Sequence, residues 1–121
     1  MKTKYLEAKR REIVNGLLGS WESEYITDSK NKNYRLVLTF NKEFGISDSN
    51  VTVKANKKYS SNDIRTCTLT FYWVDYELQT SNIEQLKQGM FKKINNNQLG
   101  LFKSNLPYVV DNLLLKFNRI I

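Results

Sequence analysis

The sequence predicts a mostly β protein, an up-and-down antiparallel barrel of seven or eight strands preceded by one N-terminal helix. Three observations carry that expectation. After Gly19, apolar and polar residues alternate with a period of two along most of the chain. The breaks between the alternating runs are short and mostly rich in Asn, Asp, Ser and Lys, and short connections favour antiparallel neighbours. The clearest helical period lies at the start. Closing such a meander into a barrel removes its exposed edges.

Residues 4–17 read as that helix, with Leu6, Ile13, Val14 and Leu17 on one face and Gly16 and Gly19 as stop signals. Its apolar stripe is narrow and holds no Trp or Phe, so it is expected to cover the barrel rather than lie on a membrane. Trp21 to Asp28 alternates as the first strand, and Ser29–Asn33 turns the chain. Leu36, Leu38 and Phe40 then share a face with Tyr34, a half-buried strand. Asn41–Gly45 turns again, and Ile46–Ala55 is expected as a strand with a break near Asp48–Asn50.

A polar stretch, Asn56–Asp63, precedes the longest β signal, Ile64–Thr80. Cys67, Leu69, Phe71 and Trp73 form one face of it. Ser81–Gln88 is expected as a loop with room for one helical turn. Gly89–Ile94 and Gln98–Lys103 flank Asn95-Asn96-Asn97, residues that tolerate positive φ in a tight turn. Pro107 punctuates, and Leu113, Leu115 and Phe117 mark the last strand.

At 121 residues the chain suits a single domain, 1–18 as helix and 19–121 as barrel. Its one cysteine, Cys67, excludes an internal disulfide. No run of eighteen apolar residues occurs, and the first nineteen residues lack the apolar core of a signal peptide. A cytoplasmic location is the expectation. The absence of histidine removes His-based triads, His general bases and the usual catalytic zinc sites. Cys67, on an apolar strand face, reads as a core thiol. Glu22 and Glu24 lie about 7 Å apart on one strand face, as do Asp75 and Glu77. Alternation puts Glu22 and Glu24 opposite Trp21, toward solvent. No catalytic residue, metal ligand or cofactor is expected.

Gly19-Ser20-Trp21, opening the first strand after a short helix, resembles the G-x-W signature of lipocalins and their short bacterial lipocalin-like relatives. Leu38-Thr39-Phe40-Asn41 and the closing run Leu113–Arg119 are similar to further strands of that family. The resemblance implies a calycin-type barrel in which Arg119 lies across Trp21 and plugs the closed end. Arg on indole is a favourable contact. The chain departs from secreted lipocalins in its shortness and its lack of a disulfide.

The formal charge is +7, from nineteen Lys and Arg against twelve Asp and Glu. In an up-and-down barrel alternate connections emerge at one end. The segments expected there, 28–33, 54–65 and 92–97, hold eight of those bases and only two acids. They would place Lys30, Lys32, Lys57, Lys58, Arg65, Lys92 and Lys93 around a basic open rim, which would attract an anion.

The first functional expectation is a non-enzymatic, lipocalin-like module that binds a small apolar or anionic ligand at this rim. The alternative is a small inhibitor, immunity or phage anti-defence protein that presents the barrel to an acidic protein partner. A third reading takes Phe71, Tyr72, Trp73 and Tyr76 as a stacking platform for single-stranded nucleic acid. The bulky inward residues favour a filled lumen with activity at the rim.

Overall fold

The computed structural model describes every residue except 1, 49, 81–82, 85–87, 105–109 and 121. Helix α1 (Lys2–Leu17) is followed by β1 (Gly19–Thr27), β2 (Asn33–Phe40), β3 (Asn50–Tyr59), β4 (Ile64–Val74) and β5 (Glu77–Thr80). The order continues with β6 (Gly89–Asn95), β7 (Gln98–Lys103), a 3-10 turn (Val110–Asn112) and β8 (Leu113–Ile120). The eight strands close in sequence order into one antiparallel barrel. Its last seam joins β1 to β8, with Ser20 opposite Ile120 and Trp21 opposite Arg119. Pro107 and most of the 81–88 stretch fall outside the described residues. None of the described helices is long and apolar enough to cross a membrane.

Three boundaries differ from the sequence expectation, the first being that residues 46–48 lie outside β3, which starts at Asn50. The run 64–80 is not one strand but the hairpin β4–β5, which turns at Asp75 and Tyr76. A two-residue turn leaves the alternation unbroken, so the pattern alone does not reveal it. Asp75 supplies the positive φ, 53°, that the turn needs. The polar residues Asn56–Tyr59 belong to β3, where Asn56, Lys57 and Lys58 pair with β2 on one side and β4 on the other.

Both odd- and even-numbered strands fill the interior, Trp21, Leu78, Leu99 and Leu101 among the former, and the even-numbered ones supply a chain of rings. Phe40 of β2 meets Phe71 of β4 at 5.7 Å between ring centroids. Phe71 meets Phe91 of β6 at 5.4 Å, and Phe91 meets Phe117 of β8 at 5.7 Å. Four rings from alternate strands thus bridge the barrel, the layered packing of small closed barrels. Leu36, Leu38, Phe40, Leu69, Phe71, Trp73, Leu115 and Phe117 are buried as alternation places them, and Leu113 is half-buried. Ser23 is also fully buried, at an irregularity in the β1–β2 pairing. Its hydroxyl accepts the Leu36 N–H at 2.8 Å and donates to the Glu24 carbonyl at 2.7 Å, which satisfies groups the broken ladder leaves over.

Helix α1 closes one end. Trp21 is fully buried, and its indole N–H donates to the Leu17 carbonyl at 2.9 Å. Arg119 lies 4.1 Å over the Trp21 ring and donates to the carbonyls of Leu18 (2.6 Å), Gly16 (3.3 Å) and Asn96 (2.8 Å). A cation therefore meets the free carbonyls at the helix C-terminus, where the backbone dipole is negative. Gly19 makes this possible: its φ is 112°, and a Cβ there would sit 3.1 Å from Arg119 Nη1. From the middle of the helix a second Arg stacks on an indole and donates to carbonyls, here those of loops. Arg10 lies 5.4 Å over the Trp73 ring and donates to the carbonyls of Ile46 (2.9 Å) and Asp75. Trp73 in turn donates to the Gly45 carbonyl at 2.9 Å.

Candidate functional site

The opposite end, the mouth, carries the β1–β2 turn (28–32), the β3–β4 turn (60–63) and the described residues Ile83 and Glu84. In the first turn Asp28 Oδ1 accepts the backbone N–H groups of Lys30 (2.8 Å) and Lys32 (2.9 Å). Asn31 takes the positive φ, 62°. These bonds, the Lys32 N–H first, hold the Asp28 carboxyl below the ordinary aspartate range. The side chains of Lys30 and Lys32 stand in solvent on this fixed turn.

Alternation divides the neighbouring bases of β3 and β4. Lys57 is opposite both Leu36 and Arg65, so Lys57 and Arg65 share the inward face. Four side chains continue into one another there. Arg65 lies 5.4 Å over the Tyr59 ring, and Tyr59 stands 5.4 Å from Tyr34. Lys57 Nζ is 4.8 Å over the Tyr34 ring and 2.8 Å from Glu84 Oε1. The Tyr34 hydroxyl donates to that same oxygen at 3.1 Å. Burial lowers the Lys57 pKa, and Glu84 more than offsets this, leaving it raised. Burial and then Glu84 push the Tyr34 hydroxyl well up. Beside them is a pocket of about 120 Å3 floored by Leu36 and Leu69, with Cys67 in its wall. Burial raises the Cys67 thiol, the state of an unreactive cysteine.

Lys58 points the other way. On the outer wall Tyr25, Arg35, Lys58 and Ile64 are successive cross-strand partners, one row over β1–β4. The Arg35 guanidinium stacks 4.2 Å over Tyr25, and Lys58 pairs with Glu22 at 3.1 Å. Tyr25 and Ile64, at the two ends of the row, are 54% and 66% exposed. Single exposed apolar side chains are ordinary, but an aromatic–Arg pair in line with an exposed Ile is the composition of a contact surface.

The structure therefore gathers Lys30, Lys32, Lys57, Lys58 and Arg65 at the mouth, but not Lys92 and Lys93. Counting the hairpin β4–β5 as one strand put the 92–97 turn at the wrong end of the barrel. Lys93 lies against Gly16 of α1 and donates to Asn96 Oδ1 at 3.1 Å. With Lys92, Lys9, Ile13, Tyr76 and Phe91 it borders a groove of about 600 Å3 beside the helix. The basic excess is consequently shared between both ends.

The stacking platform is not assembled either. Phe71 and Trp73 are core residues, Tyr72 is half-buried, and only Tyr76 of the four is exposed. The carboxylate pairs have local roles. Glu22 binds Lys58, and Glu24 accepts the Lys116 N–H at 3.1 Å beyond the last β1–β8 pair. Asp75 lies in a turn. Sequence reasoning missed Arg10, Tyr25, Tyr34, Arg35 and Glu84. Strand parity was the available signal for Tyr34 and Arg35, whereas nothing local marks Glu84.

No family model, curated protein or solved structure matches this chain.

Proposed function

We propose that this chain is a non-enzymatic binding protein that engages an acidic protein partner through the mouth-end outer wall of β1–β4. The observation that supports this most is the ring layer. Phe40, Phe71, Phe91 and Phe117 occupy the space in which a cup-shaped carrier would seat an apolar ligand. The barrel then serves as a rigid frame, and recognition falls to its surface. Tyr25 and Arg35 are of the residue types that dominate interface energetics, and Ile64 extends the row. Lys30, Lys32 and Lys58 supply the charge that steers an acidic partner into place. The Gly19, Trp21 and Arg119 constellation supports a distant lipocalin-like origin for the frame.

The test is capture from the native host with the full chain and with an Arg35→Glu/Lys58→Glu variant. An acidic protein recovered by the first and lost by the second, most completely at low salt, is the expected result. Lys58 is exposed and Arg35 half-buried on the outer wall, and circular dichroism checks that the variant keeps the fold. Equal recovery by both chains would refute the assignment of this surface.

A further inference from the structure

The mouth pocket holds an arrangement that the partner reading does not use, since Tyr25, Arg35, Lys58 and Ile64 face outward. A lysine is poorly suited to the interior face of a barrel, yet strand parity turns Lys57 inward beside Leu36. There its ammonium and the Tyr34 hydroxyl converge on one oxygen, Glu84 Oε1, at 2.8 and 3.1 Å. Both donors sit on β2 and β3, adjacent strands hydrogen-bonded to one another and fixed by the core. Such donors are held in place before any acceptor arrives. The acceptor is different. Glu84 belongs to a connection and has a φ of 43°, the left-handed region that a glutamate enters at a disadvantage.

Next to this trio lies the pocket of about 120 Å3, with the apolar floor of Leu36 and Leu69. An apolar cavity of about 150 Å3 holds a molecule of benzene, so this pocket is of a size to take a smaller solute. That is room for a carboxylate bearing a very short apolar tail. We propose that Lys57 and Tyr34 form a carboxylate-binding site, that Glu84 is its built-in occupant, and that a small external carboxylate binds by displacing it. The chemistry is charge-assisted on one side and a neutral hydroxyl donor on the other, with the tail against Leu36 and Leu69. A tethered occupant competes at an effective concentration in the millimolar range, so it tunes the site against weak carboxylates.

Sodium acetate, titrated into the full chain against sodium chloride at matched ionic strength, is the probe. Backbone amide shifts of Leu36, Lys57 and Leu69 are the readout. Glu84→Gln should tighten acetate binding by about tenfold, because the competing charge is gone. Lys57→Met should abolish it in the Glu84→Gln background, and Tyr34→Phe should weaken it several-fold. Cys67 supplies a second measurement should Lys57→Met fail to fold. In the Glu84→Gln protein, acetate should slow alkylation of Cys67 by a small reagent, because both occupy one pocket. A capped oligoglutamate peptide separates the two sources of a carboxylate. Binding of acetate alone assigns a small molecule, and stronger binding of the peptide assigns a side chain of a protein. Acetate affinity unchanged by Glu84→Gln, or no effect of acetate on either the shifts or the alkylation, would overturn the proposal. Neither outcome bears on the outer row, which the capture experiment tests separately.

Discussion

The two ends of this barrel use the same residue types in opposite ways. At the closed end the arginines donate to main-chain carbonyls: Arg119 to Gly16, Leu18 and Asn96, and Arg10 to Ile46 and Asp75. At the mouth, Lys57, Lys58 and Tyr34 meet side chains, namely Glu84 and Glu22. A carbonyl is positioned by the backbone and cannot move without changing the fold. A carboxylate on a rotatable side chain can be exchanged for another. The two arginines of the closed end are therefore part of the frame, while Lys57, Lys58 and Tyr34 at the mouth sit against partners that can be exchanged.

Stability measurements can break that contrast. The largest effect is expected at Trp21, which is fully buried and bonded to Leu17. Trp21→Ala should destabilise by about 3–5 kcal/mol in denaturant unfolding. Arg119→Met follows, at roughly 1.5–3 kcal/mol, because carbonyls at the end of α1 lose a charged donor. Arg119→Lys should recover little of this, since an ammonium cannot both stack on the indole and span three acceptors. A mouth substitution such as Tyr34→Phe that matched Arg119→Met would erase the distinction between the ends.

Cys67 is half-buried in the mouth pocket with its thiol raised by burial. Cys67→Ser should lose about 1 kcal/mol, from a hydroxyl set against apolar walls, and leave capture of a partner by the outer wall intact. Loss of biological activity in a folded Cys67→Ser protein that still captures its partner would overturn the non-catalytic reading.

The smallest effect sharpens the comparison through pH. Asp28 has a folded pKa below its unfolded value, so its contribution is present above the ordinary aspartate range. It is lost as pH falls through the lower folded value. The amide shifts of Lys30 and Lys32 should titrate with a midpoint below about 3.9, and Asp28→Asn should remove the titration. A midpoint at or above that value would mean the turn does not hold the carboxylate.

Much of this was legible in the sequence, for a physical reason. Alternation reports burial directly, so the faces of β2 and β8 and the buried half of β4 could be read without knowing the partner strands. The Trp21–Arg119 contact was legible through resemblance alone, because nothing local in residue 119 points to residue 21. Val74-Asp75-Tyr76-Glu77 concealed a turn, since the tightest hairpin preserves parity and Asp75 was its only conspicuous turn former. That single miss carried Lys92 and Lys93 to the wrong end. Lys57 and Lys58 are neighbours in sequence with opposite destinations, which composition cannot express but register can. The acceptors of Arg10 are backbone atoms, which leave no mark in the sequence.

The seam between β1 and β8 has a further consequence, for how quickly the chain folds. Every other ladder joins strands adjacent in sequence and can zip locally from its own turn or loop. The pairing of Ser20 with Ile120 closes a loop of about a hundred residues, the largest entropic step in the topology. Until it forms, β1 and β8 each present an unpaired edge, and Arg119 has neither its ring nor its helix carbonyls. Folding should therefore be slow for a protein of this size, on the millisecond-to-second scale of non-local β topologies. Its late step would be the arrival of Arg119 on Trp21. The residue that locks the finished barrel is also the one whose absence leaves the intermediate open to association with other chains.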